Sequence, residues 1–137
     1  MEGQRGQAAP DTNRERRVSA VFDTSVVMDY LRGYKPAAGA FKRFPHRAIT
    51  VATWVEIMAE TPEGLSVETR EFLRTFERLA ISEGISDRAL ALMQKHPGLK
   101  LRHAIPWATA LANELIYITR ELPEDWADKG LWIPYRK

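Results

Sequence analysis

VSAVFDTSVVMDYLRG, residues 18–33, holds a strand-to-helix transition. Val18 to Phe22 is a short apolar run that ends on the carboxylate of Asp23. Thr24 then offers a hydroxyl cap to a helix whose apolar positions Val26, Val27, Tyr30 and Leu31 recur at helical spacing. Gly33 closes that helix. The same unit recurs along the chain. Pro36 to Phe44 predicts a second short helix, and Ala48 to Val51 is β-branched enough for a second strand. Thr53-Trp54-Val55-Glu56 matches a capping box that opens the next helix.

From Ser66, the residues Phe72, Leu73, Phe76 and Leu79 recur at helical spacing, and Ser86 with Asp87 opens a further helix through Ala89, Leu90 and Met93. Leu79 to Ile81 reads as a strand between them. Ala104 to Leu111 is apolar almost all round, which predicts a buried helix with Pro106 in its first turn. Leu115 to Thr119 and Leu131 to Ile133 complete the set of strands. This alternation predicts an α/β fold, a central parallel sheet flanked by helices and joined by right-handed crossovers.

The 137 residues suit one domain, and no stretch of about eighteen apolar residues is present to span a bilayer. A formal net charge of +2 tolerates a polyanionic partner without demanding one. The absence of cysteine removes disulfides, thiolate nucleophiles and Cys-type zinc sites, which fits a reducing compartment. The N-terminus lacks the apolar core of a secretory signal, so the expected location is the cytoplasm. Residues 1–17 hold almost no large aliphatic side chain and read as a disordered tail, leaving residues 18–137 as the domain. A start codon assigned upstream of Val18 explains that tail equally well.

In a parallel sheet, groups placed just after the strands gather at the carboxyl edge, where helix N-termini also point. Asp23 follows the first strand, Glu56 and His103 fall near helix starts, and Glu121, Glu124 and Asp125 follow the Leu115 to Thr119 strand. Carboxylates gathered there repel one another unless a hard cation neutralises them. Mg²⁺ or Mn²⁺ suits oxygen ligands and supports phosphodiester hydrolysis.

Several stretches carry a family resemblance. AVFDTSVVMDYLRG at Ala20 to Gly33 resembles the opening motif of PIN-domain ribonucleases, in particular VapC-type toxins of bacterial toxin–antitoxin pairs. ITVATWVEIMAETPEG at Ile49 to Gly64 resembles their second motif. LRHAIPWATALANELIYITRELPEDW at Leu101 to Trp126 is similar to the third and fourth, with WIPY at Trp132 to Tyr135 as a closing strand. Four motifs in order are a stronger signal than any one of them.

The resemblance implies a three-layer α/β/α PIN-like fold and a set of site residues. Asp23 matches the first metal-coordinating acid, Glu56 the second, and Asp125 the last, with Glu124 as its rival. Thr24 and Ser25 match hydroxyls near the site, and Thr119 matches the one that ends the preceding strand. His103 stands where a third acid is expected, and Glu121 replaces an amide. The implied cofactor is Mg²⁺ or Mn²⁺, and the implied partners are an RNA substrate, a cognate antitoxin and a second copy of the chain.

An Asp at position 103 would supply a negative charge and an oxygen, whereas neutral imidazole supplies a nitrogen and no charge. Mg²⁺ binding is therefore expected to weaken, with Mn²⁺, Zn²⁺ or Ni²⁺ better suited. Alternatively a protonated His103 replaces part of the cation, pairing with Asp23 or Asp125 in a metal-free site. Two functions follow: a divalent-metal-dependent endoribonuclease toxin, or an inert PIN-like module that binds RNA or an antitoxin without cleaving. Structural roles compete for these residues. Asp23 suits a strand end, Glu56 suits the capping box, Asp29 and Asp87 suit helix surfaces or caps, and Trp54 and Trp107 suit core or interface anchors.

Overall fold

Five strands, β1 (Ser19–Phe22), β2 (His46–Thr50), β3 (Glu77–Leu79), β4 (Ile116–Ile118) and β5 (Leu131–Trp132), pair in parallel in the order β3-β2-β1-β4-β5. The computed structural model describes residues 19–127 and 130–137, so the tail reading and Val18 lie outside the described residues. Among the described residues six α-helices cover the sheet: α1 (Thr24–Leu31), α2 (Lys35–Arg43), α3 (Val51–Glu60), α4 (Ser66–Leu73), α5 (Glu83–Lys95) and α6 (Leu101–Ala112).

Strand alternation sorts the core into two halves. Ala20, Phe22, Ile49 and Ile118 face the helices α1 to α4 through Val26, Val27, Ala40, Phe41, Ile57 and Leu73. Val21, Ala48 and Tyr117 face α5 and α6 through Ile85, Ala89, Ala104, Trp107 and Ala108. The expected three-layer α/β/α architecture is thus present. Trp107 is fully buried as a core anchor. Trp54, half-buried, lies under the Arg78 and Arg70 guanidinium groups at 4.2 and 5.2 Å.

After β1 the chain builds β2 and β3 on one side, then crosses to place β4 and β5 on the other. The carboxyl ends of β1 and β4 therefore form the topological switch point, the crevice where open α/β sheets bind ligands.

Several local boundaries differ from the sequence expectation. The cap of α1 is Asp23, whose side chain accepts the Ser25 N–H, while Thr24 is already helical. Helix α3 opens at Val51 on the hydroxyl of Thr50, which accepts the Thr53 N–H at 3.2 Å, so the capping box at Thr53 does not form and Glu56 has no capping role. Similarly α5 opens on Ser82, whose hydroxyl accepts the Ile85 N–H, and not at Ser86. Helix α4 ends at Leu73. Phe76 and Leu79 lie beyond it, in the turn and in β3, where sheet pairing with β2 sets their positions. Because α6 begins at Leu101, Pro106 sits in its second turn and has no N–H to give the Arg102 carbonyl. Gly33, at φ +86°, does close α1 as expected.

Asp29, expected on a helix surface, is fully buried. Its carboxylate receives both the Nε and Nη2 of Arg120, the Tyr135 hydroxyl at 2.8 Å and the Lys137 ammonium at 3.0 Å. The C-terminal residues are thereby fastened to α1. Burial alone would raise the Asp29 carboxyl, but the hydrogen bonds from Arg120, Tyr135 and Lys137 hold it below its ordinary value of 3.8.

A carboxyl depressed in the folded chain stabilises it fully above the unfolded value, and that contribution is lost as pH falls through the folded one. Asp29→Asn is therefore expected to flatten the decline in urea stability below pH 3.8. At neutral pH, Asp29→Ala should cost about 3 kcal/mol, the low end for breaking a buried pair, because Arg120 and Lys137 retain some water. Equilibrium urea unfolding of both variants across pH checks both statements.

Candidate functional site

Asp23 lies at the switch point because β1 ends there and α1 begins there, and its N–H donates to the Ile118 carbonyl at 2.8 Å. The carboxylate is almost completely buried. Its Oδ2 accepts the Ser25 N–H and hydroxyl together with the Thr119 hydroxyl at 2.9 Å, and Oδ1 accepts the Tyr117 hydroxyl at 2.8 Å. Oδ2 thus faces three donors and Oδ1 one, which leaves Oδ1 the less occupied oxygen. Burial alone would raise this carboxyl, but the neighbouring His103 ring, with hydrogen bonds from the Ser25 and Tyr117 hydroxyls, holds it below its ordinary value.

His103, in the first turn of α6, is buried beside it, with Nδ1 3.6 Å from Asp23 Oδ1 and 3.0 Å from the Tyr117 oxygen. Tyr117 has one hydroxyl proton, and the charged Asp23 is the stronger acceptor. Nδ1 of His103 must then carry the hydrogen that Tyr117 accepts. On the far side of the ring, Nε2 lies 3.2 Å from Glu121 Oε1. A bare nitrogen lone pair facing a carboxylate at that distance is repulsive, so a proton or a metal cation must stand between them.

Asp23, His103 and Glu121 each offer a ligand atom, all within 4.8 Å of one another. Fixing Nδ1–H on Tyr117 aims Nε2 outward, an arrangement suited to a metal ligand. One nitrogen and two carboxylates fit a divalent ion. The nitrogen shifts the fit from Mg²⁺ towards Mn²⁺ and later transition ions.

The surrounding cavity, of about 150 Å³, is also lined by Thr24, Ser25, Glu56, Glu60, Arg32, Arg102 and Arg120. The Thr24 hydroxyl donates to Glu56 at 2.7 Å and lies 3.1 Å from the Thr53 hydroxyl. Arg102 and Arg120 approach the two oxygens of Glu121 at 3.3 and 3.7 Å, and Arg32 pairs with Glu60 at 3.5 Å. The Thr119 hydroxyl accepts the Glu121 N–H at 3.2 Å, so one threonine orders the residues on both sides of the cleft.

The sequence-derived residues are placed unevenly. Asp23, Thr24, Ser25, Glu56 and His103 line this cavity, and Thr119 supports it from beneath. Glu56 stands outside the three-residue ligand set. Asp125 is exposed on a 3-10 turn (Glu124–Trp126) and does not line the cavity, and Glu124 pairs with Arg136 at 3.2 Å. Glu121 occupies the cleft instead, because the chain turns into it directly after Thr119. Sequence reasoning missed Tyr117. Strand alternation carried the signal, since Tyr117 sits between Ile116 and Ile118 and so must face α6, where His103 lies.

Replacing Tyr117 with Phe should cost about 1–3 kcal/mol, because a buried carboxylate oxygen and a buried imidazole N–H both lose a partner. Urea unfolding measures the loss. Nitrogen chemical shifts of His103 should move as well, and an unchanged ring signal would contradict the tautomer assigned above.

No family model and no curated protein matches the chain. Solved structures do. A chain of the toxin–antitoxin complex from Klebsiella pneumoniae is 36% identical, with a TM-score of 0.75 over 86% of this chain and 99% of that one. FitAcB from Neisseria gonorrhoeae is 16% identical, with a TM-score of 0.67 over 84% and 97%. VapBC2 from Rickettsia felis, bound to a DNA fragment from its promoter, is 14% identical, with a TM-score of 0.64 over 84% and 99%. The last two share the fold.

Proposed function

The chain belongs to the same family as the chain of the Klebsiella pneumoniae toxin–antitoxin complex, and from that premise we propose that it is a divalent-metal-dependent endoribonuclease, the toxin of a toxin–antitoxin pair. The observation that carries this reading is the gathering of His103 Nε2, Glu121 and the buried Asp23 within 4.8 Å of one another, with Nε2 3.2 Å from Glu121, an arrangement that a divalent cation would satisfy. Asp23, His103 and Glu121 would hold the ion. When bound, it supplies Lewis-acid polarisation of a phosphate oxygen.

The chain's own groups supply the rest. Glu56, oriented by the Thr24 hydroxyl, is placed to accept a proton from attacking water. Arg32 and Arg102, exposed at the cleft, bind flanking phosphates, and Arg120 adds a fixed positive charge held by Asp29. Asp125, exposed outside the cleft, and Glu124, paired with Arg136, take no part in this chemistry.

A groove of about 480 Å³ adjoins the cleft, lined by Met28, Leu31, Pro62 and Leu65 and sharing Arg32 and Glu60 with it. This groove suits an amphipathic antitoxin segment whose cation reaches the cleft acids. A homodimer and a cytoplasmic location complete the proposal. Among the described residues no helix is long and apolar enough to cross a membrane.

One observation favours a second reading. With a proton on Nε2, Asp23, Tyr117, His103 and Glu121 form a closed hydrogen-bonded network that needs no metal. The protein would then bind RNA or an antitoxin without cutting.

Cleavage of single-stranded RNA in Mg²⁺ and in Mn²⁺ separates the two. The nuclease reading expects faster cleavage in Mn²⁺, lost by at least about 100-fold in Asp23→Asn if that carboxylate acts on the transition state. Mn²⁺ at a hundred times its Kd should also stabilise the chain by about 2.7 kcal/mol in urea. Cleavage appearing only in His103→Asp would establish the inert module.

A further inference from the structure

A further cavity, of about 290 Å³, also borders the His103–Glu121 pair. It shares Arg102, His103 and Glu121 with the cleft, and is otherwise lined by Pro97, Gly98, Lys100, Leu122, Pro123 and Trp126. Two features set it apart from the cleft. Its walls combine an indole and two prolines, whereas the cleft is lined chiefly by charged groups. Lys100, which is exposed, lines this cavity and not the cleft.

We infer that this cavity is a nucleobase subsite, taking the base of a nucleotide next to the phosphate held in the cleft. The inference rests on the ribonuclease reading and deepens it. Trp126 is half-buried at the edge of an aromatic cluster, 4.7 Å from the His96 ring and 6.2 Å from Trp107. Those neighbours fix the indole plane. An indole held by its neighbours is a stacking platform that requires no reordering when a base arrives.

Gly98, at φ +93°, turns the chain between Pro97 and α6, carrying Lys100 to the rim. Size agrees as well, because 290 Å³ falls just below the range of about 300–1,000 Å³ that holds drug-sized ligands and so suits a single base. Continuity supplies the direction of the strand. A phosphate at the cleft meets Arg102, which belongs to both cavities, and the next base then reaches Trp126 while Lys100 meets the following phosphate. Such a platform is sequence-tolerant through stacking, and the Glu121 carboxylate at its inner wall favours bases that present an amino group.

The test uses the full chain, RNA octamers kept intact by chelating divalent ions with EDTA, and a single abasic site moved along the octamer, with binding read by fluorescence anisotropy. One abasic position is expected to weaken binding about tenfold, as loss of one stacked base does. In Trp126→Leu, which keeps an apolar side chain against Trp107, the penalty at that position should vanish while the other positions are unchanged. Lys100→Gln should lower the salt dependence of binding by about one phosphate contact. A flat abasic scan with intact octamer binding overturns the subsite and leaves the ribonuclease reading standing. So does a Trp126→Leu loss spread equally over all positions in a chain with unaltered thermal melting. If Trp126→Leu melts early, Lys100→Gln and the wild-type scan decide the matter. Absence of any octamer binding overturns both readings together.

Discussion

The burial of Asp23 constrains everything around it. An ionised carboxylate almost fully removed from water survives only if its oxygens are occupied, and here the donors come from two segments distant in sequence. Ser25 belongs to α1, Tyr117 to β4 and Thr119 to the residue after β4. The parallel pairing of β1 with β4, in which Val21 lies opposite Tyr117 and Phe22 opposite Ile118, brings those hydroxyls to the end of β1. The site and the sheet are therefore interdependent. A slip of one residue in that register would turn Tyr117 towards the opposite layer and leave Asp23 short of a donor.

A second buried carboxylate extends the same logic. Asp29 sits six residues, under two helical turns, from Asp23 and gathers Arg120, Tyr135 and Lys137. Arg120 is the residue after Thr119, so its anchorage fixes the path of the loop that carries Glu121 into the cleft. The two acids of α1 thus hold adjacent parts of one segment, Thr119 by Asp23 and Arg120 by Asp29. This accounts for why an apparently peripheral C-terminal stretch bears on the geometry of the cleft.

Much of this was legible in the sequence. The alternation of short apolar runs with helical patterns pointed to the parallel α/β sheet, and chain order alone placed Asp23, His103 and the residues after β4 at one edge. Capping was the weak point, because Thr24, Thr53 and Ser86 each have the chemistry of a cap, and the choice among neighbouring hydroxyls depends on where sheet pairing stops. Thr50 caps α3 because β2 ends there, which no local pattern announces. Asp29 was misread for a related reason. An acid on an amphipathic helix belongs at the surface unless a cation from a distant segment covers it, and residues 120 and 137 lie about ninety or more positions away. The position of Asp125 failed on a small scale, since a 3-10 turn directs it outward and leaves Glu121 to enter the cleft.

The mild net charge of the chain conceals how its cations are held. Arg32 and Arg102 are exposed and paired with Glu60 and Glu121 at 3.5 and 3.3 Å. Such exposed pairs contribute about 0–1 kcal/mol at most. A phosphate can replace the carboxylate partner at little cost, and the released Glu121 becomes free to face a cation. Arg120 differs, since its partner Asp29 is fully buried and cannot be left alone. Its charge is therefore a fixed feature of the cleft, and the other two are movable. On the proposed ribonuclease reading, a polyanion entering the cleft would exchange the outer pairs first, and this exchange, more than the net charge of +2, would let the chain accommodate a phosphodiester beside the carboxylates of Asp23, Glu56, Glu60 and Glu121.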